Sequence, residues 1–343
     1  MRGRATGLGL LGLGAFALVA ALMVKLFLVP ALVKLPLSQP VSLVAVDPAA
    51  TFFNIGELKQ HQGETVTARQ GVTGLPKADG AGSDVAVWAS GTTVEDNANQ
   101  LITPPITYQV CLDRRTAAAV DCPSAKVGDQ HQKISGLTLN FPFGTKKQSY
   151  DVFDSTAAKA FPARFAGTDA VQGVGVYRFA QTVPETVVQS SEVPGAMAGV
   201  PDQPSVQADV VYTNQRTYWV EPASGVIVNI EEHPNLVFRG PDGTTGVTLL
   251  AAKLSGDKKT LAAAVKRAED GRSQIRMVST ILPLVLLLLG VIAMIIGALL
   301  LRRRAAGAHR DRPSPQDTAE DARPTVVVPR SAEEAGAPSP SPG

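Results

Sequence analysis

Two stretches of the chain are apolar on every face. Residues 5–24 carry no charge between Arg4 and Lys25, and residues 277–301 carry none between Arg276 and Arg302. Twenty helical residues span roughly 30 Å, the thickness of a bilayer core, so both runs predict transmembrane helices. The first run exceeds the ~7–15-residue apolar core of a cleavable signal peptide, which favours an uncleaved anchor. Pro283 sits near the start of the second run, where a missing backbone donor is best tolerated. Small residues recur at helical spacing in both, as Gly14, Ala17 and Ala21 and as Gly290, Ala293 and Gly297. Such ridges permit close antiparallel pairing of two spans.

The pattern between the spans changes to period two. Short runs rich in Val, Thr, Phe and Tyr alternate with Gly, Pro and Asp, which is strand-and-turn punctuation. The clearest are 41–46, 84–90, 106–112, 137–141, 149–153, 173–182, 208–212, 217–220 and 225–231. Residues 218–229 form the best hairpin, with Pro222 setting φ and Gly225 free to take positive φ in the link. Residues 71–83 and 192–205 read as long loops rich in Gly and Pro.

Residues 256–276 have strong helix-former composition and predict a stalk, softened at Gly271. After the second span, the Pro-, Ala-, Ser- and Glu-rich residues lack periodicity and read as disordered. The expected division is therefore 1–34 (N-terminus and first span), 35–255 (β-rich domain), 256–276 (stalk), 277–301 (second span) and 302–343 (tail). The expected fold class is a mainly β ectodomain, a curved antiparallel sheet or barrel-like, with two transmembrane α-helices and a helical stalk.

Charge orients this arrangement. Arg2 and Arg4 precede the first span, and Arg302, Arg303 and Arg304 follow the second. The positive-inside rule predicts cytoplasmic termini in a two-pass protein of the cytoplasmic membrane, with residues 35–276 outside. Residues 35–274 hold 20 Lys+Arg against 24 Asp+Glu, a balance of −4, and the whole chain is only +2. Neither value fits a nucleic-acid footprint.

Cys111 and Cys122 both fall in the exterior segment, where an oxidising compartment favours a disulfide between them. No zinc spacing, H-E-x-x-H, G-x-S-x-G or P-loop is present. Gly7, Gly9 and Gly12 match G-x-G-x-x-G inside an apolar helix, without the strand a dinucleotide site needs. Glu231, Glu232 and His233 are consecutive, and adjacent strand residues point to opposite faces. No catalytic residue, cofactor or metal ligand is therefore assigned, and an enzyme is not expected.

Several strings resemble an actinobacterial membrane protein family labelled porin PorA. They are Phe141-Pro-Phe-Gly144 with Lys146, Lys147 and Tyr150; Tyr177 to Pro184; Val193-Pro-Gly195; and Asn214 to Val226. The resemblance covers residues 1–304 and implies a role in building or maintaining a mycolate-type envelope. The segment around Trp219, Pro222 and Gly225 is also similar to hairpins of periplasmic lipoprotein carriers with half-barrel sheets.

Membrane barrels use strands of ~9–11 residues and no long apolar helices. A true porin is therefore not expected. The expectation is instead an exterior domain that binds lipid or glycolipid, with Val176, Phe179 and Trp219 as groove-lining candidates. The alternative is a scaffold without ligand. Expected partners are membrane lipids, an envelope glycolipid and a transporter or envelope complex.

Overall fold

The computed structural model describes residues 2–308, with side chains described from Ala5 to Arg302. The chain divides into two compact units. One comprises Leu18–Leu288, and the other pairs segments of Met1–Ala17 and Leu289–Gly343. Helix α1 (Arg2–Met23) continues through a π-helical turn at Val24–Leu28 into α2 (Val29–Leu32). Helix α3 (Lys258–Arg276) is followed by a π-helical turn at Met277–Ile281 and by α4 (Leu282–Ala308). The last helix thus runs four residues past Arg304, into what reads as tail. The remainder of the tail lies outside the described residues.

In the smaller unit, α1 and α4 run antiparallel along their glycines. A Cβ on Gly14 would lie 2.7 Å from the Gly290 carbonyl and 2.5 Å from Met294 Cγ. Gly7 faces Leu301 and the Gly297 carbonyl, whereas Gly9 and Gly12 touch nothing. Only glycines on one stripe sit at the contact, as close helix packing demands.

The larger unit is built on one antiparallel sheet of fifteen strands. These are β1 (Val41–Asn54), β2 (Lys59–Gly74), β3 (Val85–Glu95), β4 (Ile106–Asp113), β5 (Ala119–Val120), β6 (Lys126–Val127), β7 (Gln130–His131) and β8 (Tyr150–Asp154). They continue as β9 (Lys159–Val171), β10 (Val174–Pro194), β11 (Ser205–Val220), β12 (Ile227–Glu232), β13 (Asn235–Arg239), β14 (Thr245–Ala251) and β15 (Leu254–Gly256). The main path runs β7-β6-β4-β3-β2-β1-β14-β13-β11-β10-β9-β8. Strands β12 and β13 are one line broken at His233-Pro234, and β14 and β15 are its partner line broken at Ala252-Lys253. Proline removes a ladder donor, which is why the break falls there. Two buried side chains satisfy the freed backbone: Asn214 Oδ1 accepts from His233 N–H at 3.0 Å, and Asp47 Oδ2 accepts from Lys253 N–H.

Residues 136–137 join β8, at one end of this path, to the β4–β5 hairpin near the other. Leu137 bridges Ala118 beside β4 on one side and Val152 of β8 on the other. Ala119 N–H donates to Gly136 O at 2.8 Å, and Leu137 N–H donates to Asp151 O at 2.8 Å. The sheet is thereby closed into a barrel. Gly136 has φ +81° and packs against the Asp151 carbonyl, so a side chain here would separate the two edges. Residues 137–141, which read as a strand, therefore form a clasp rather than a full strand.

The interior holds the main core, drawn from both edges: Trp88, Val110, Leu137, Phe141, Val152, Phe179 and Val220. Phe141 stacks on Phe179 with ring centroids 4.9 Å apart. The barrel exterior is mostly polar. Apart from Ile55, Leu58, Leu101 and Val187, the large exposed apolar side chains lie in the helical segments on either side of the sheet.

Helix α3 is not a free stalk. Asp257 caps it by accepting from Thr260 N–H at 2.7 Å, and Ala264, Val265 and Ala268 are buried against the sheet. Gly271 does not soften it; a Cβ there would lie 3.0 Å from Ser224 Cβ, so glycine allows the helix to approach the β11–β12 turn.

Candidate functional site

Strand β11 turns a row of alternate residues inward: Val210, Tyr212, Asn214, Arg216, Tyr218 and Val220. Period-two geometry puts the whole row on one face. Its two central members are polar, and a buried polar group needs partners. Arg216 finds them on three strands and the end of β8. Its Nη2 lies 2.7 Å from Glu232 Oε2 and 3.1 Å from Asp154 Oδ2. Its Nη1 donates to Gln181 Oε1 and to the Tyr218 hydroxyl, both at 3.2 Å.

The Nε of Arg216 is buried without a partner, and a second layer of contacts surrounds the guanidinium. Tyr212 OH donates to Asp154 Oδ2 at 3.0 Å, Asn214 Nδ2 donates to Glu232 Oε2 at 3.1 Å, and Tyr218 OH donates to Gln181 Oε1 at 3.0 Å. Gln181 spends its amide on the carbonyls of Val152 and Phe161. Burial works against the charge of Arg216, but Glu232, Tyr218 and Asp154 outweigh it and hold the guanidinium protonated. Burial also pushes the Tyr218 hydroxyl up to about 12 and raises that of Tyr212. One cation between two carboxylates, with every phenol neutral, fixes the strands against each other and leaves no activated nucleophile.

This network forms part of the wall of a cavity of about 480 Å³ inside the larger unit. The wall is mostly aliphatic, with Trp88, Tyr108, Phe153, Tyr212 and Tyr218 set into it. The cavity reaches α3, where Thr260, Ala264 and Arg267 line it. Burial lowers the pKa of Arg267, whose guanidinium has no hydrogen-bond or ion-pair partner among the described residues.

The residues singled out from sequence lie elsewhere. Val176 is buried beside α3 with Val228, Val265 and Ala268. Phe179 is fully buried in the main core. Trp219 packs at the edge of the Val176 cluster and donates from Nε1 to Asp169 Oδ2 at 3.2 Å. None of the three lines the cavity, because each packs against a filled cluster. Cys111 and Cys122 do form a disulfide, with Cα atoms 6.2 Å apart. Of the consecutive trio, Glu232 turns to Arg216, while Glu231 and His233 are exposed. His61 is in β2, stacked on Phe52 and held between Glu57 and Glu64 at 2.9 Å each. The Arg216 network escaped sequence reasoning although Asn214 and Arg216 stand in a string that drew attention. Strand alternation was the available signal: a polar pair at the inward positions of an otherwise apolar row.

Fold and helices together define a membrane protein with a closed β domain outside its apolar segments. The profile of the family described as Porin PorA matches residues 6–299, and the chain belongs to this family. It is similar to Porin PorA of Corynebacterium amycolatum, 26% identical over 241 residues, covering 55% of this chain and 62% of that protein. It is also similar to Porin PorA of Corynebacterium resistens (strain DSM 45100 / JCM 12819 / GTC 2026 / SICGH 158), 25% identical over 238 residues, covering 51% of this chain and 58% of that protein. The chain thus spans less than two thirds of the length of either relative.

These matches correct the functional expectation. Family and relatives carry the name porin, so lipid or glycolipid binding, the scaffold alternative and the case against a porin are overturned. The expectation equated porin with a lipid-facing strand barrel, whereas the region matched to this family holds a fifteen-stranded β domain together with two long apolar helices.

Proposed function

We propose that this chain is a subunit of a membrane pore in the cell envelope. The match to the Porin PorA profile over residues 6–299 carries this reading, because it takes in both apolar runs and the whole β domain. The concentration of exposed apolar side chains on the helices supports a helical lipid-facing surface, with the polar barrel exterior in water. A single pair of helices with no charge between residues 5 and 24 or between 277 and 301 cannot enclose an aqueous path. The pore is therefore made by several copies, with membrane lipid around their spans. Both termini are cytoplasmic and residues 35–276 are extracytoplasmic, from the arginines that flank the spans. The protein is not an enzyme in this reading.

The test is reconstitution of the full chain into planar bilayers. Stepwise conductance, with cross-linked oligomers from the same preparation, is the expected result. Folded protein that leaves the bilayer as resistive as a protein-free control overturns the pore. Alkaline phosphatase fused after Gly136 is expected to be active and after Ala308 inactive; the reverse pattern overturns the orientation.

A further inference from the structure

We infer that the β-domain cavity is a binding site for a compact organic anion bearing an apolar ring system, its acid group on Arg267 and its ring system against the apolar wall. This goes beyond the pore reading and does not depend on it. Three observations carry it.

The first is charge. Arg216 and Glu232 also line the cavity; the charge of Arg216 is met by Glu232 and Asp154 within 2.7–3.1 Å, although its Nε is buried without a partner. Arg267 has no such partner among the described residues. Its helix is held in place: Ala264 and Ala268 of α3 are buried, and the helix is tied to β1 by Val44 N–H donating to Thr260 Oγ1 at 2.9 Å. A partly desolvated guanidinium carried on an anchored helix is unfavourable until an anion meets it, and it presents a planar fork suited to carboxylate, sulfonate or phosphate.

The second is an unspent hydrogen-bonding group. Thr138 Oγ1 is buried and without a partner, and Thr138 lines the same cavity. Buried polar atoms are ordinarily paired, so an orphan at a cavity wall marks a place for a ligand atom.

The third is size and wall chemistry. A volume of about 480 Å³ suits a compact molecule of drug-like dimensions. The wall is largely aliphatic with Trp88, Tyr108, Phe153 and Tyr218 set into it, which suits a compact apolar ring system.

The experiment uses the purified full-length protein in detergent and equilibrium dialysis with naphthalene-2-sulfonate, against neutral 2-naphthalenemethanol as comparison. One sulfonate per chain is expected to bind, and Arg267→Gln is expected to weaken it at least tenfold while leaving the neutral compound within twofold. Thr138→Val is expected to weaken the sulfonate a few-fold. Arg267→Lys keeps the charge and is expected to retain binding, so a loss caused by misfolding is recognised by near-UV circular dichroism and by failure of both Arg267 variants. Absence of saturable sulfonate binding to folded wild type overturns the inference, as does binding that Arg267→Gln leaves unchanged.

Discussion

The backbone of Phe141 and the backbone of Gly225 are locked together: Phe141 N–H donates to Gly225 O at 2.8 Å, and the Phe141 carbonyl occupies the space a side chain at 225 would need. Gly144 N–H donates to Ala223 O at 3.1 Å and Thr145 N–H to Pro222 O at 2.7 Å, so Phe-Pro-Phe-Gly lies along the β11–β12 turn. Two of the strings that mark the family are thus one structural unit. Gly225 has φ +72°, and the turn is capped from inside by Glu221, which accepts from Ser224 N–H at 2.8 Å.

Gly225→Ala should therefore act twice, through left-handed strain and through collision with Phe141. A loss of more than about 2 kcal/mol is expected, against about 0.4–1 kcal/mol gained where such a change is unstrained. Denaturant unfolding measures it, and a neutral or stabilising outcome would contradict the docked turn.

Removing Arg216 should be costlier than removing Glu232. Arg216→Met strands Asp154, whose side chain has no solvent exposure, and a loss of roughly 3–5 kcal/mol is expected. Glu232 is 30% exposed and Asp154 remains to hold the guanidinium, so Glu232→Gln should cost only about 1–2 kcal/mol. Equal losses in thermal unfolding would show that the network is not centred on Arg216.

The Cys111–Cys122 link closes a short loop at the edge of β4. Reduction is expected to lower stability by roughly 3 kcal/mol in the chain-entropy account, without loss of the fold. Non-reducing peptide mapping should recover the joined pair, and free thiols in envelope-derived protein would remove the staple.

His61 should make the β1–β2 hairpin sensitive to pH. Its pKa is raised above 6.5 by hydrogen bonds to Glu64 and then Glu57. A raised native pKa means that the stabilisation is complete below the unfolded value near 6.5 and is lost as pH rises through the native value. Two-dimensional NMR of the imidazole should show a midpoint above 6.5, and His61→Gln should flatten the alkaline side of the stability profile. A midpoint at or below 6.5 would contradict the paired carboxylates.

Much of the architecture was legible along the chain because it depends on local pattern. Uncharged runs of bilayer length identify helices without any knowledge of neighbours, and the hairpin at 218–229 announces itself through Pro222 and Gly225. The pairing of Cys111 with Cys122 needed only proximity in sequence. Strands β2 and β9 were harder, since KQHQGETVTARQGVTG and KAFPARFAGTDAV are half-solvated, carry internal Gly or Pro, and show no clean alternation. The solvent-facing side of a strand is chosen by water rather than by a partner, so its residues carry little signal.

What the sequence by itself determined is the local grammar: two apolar helices, a β-rich domain between them, a helix over 256–276 and a disulfide. The tertiary structure alone decided which residues meet. Closure of the sheet hangs on Leu137 touching Ala118 and Val152, and the polar centre needs Arg216, Asp154, Glu232 and Gln181 from separate strands. It likewise decided that Val176, Phe179 and Trp219 pack into clusters while Arg267 faces a cavity. A side chain's period tells which face it takes, but what lies across that face is set by strands far away in the chain, whose register only the folded sheet establishes.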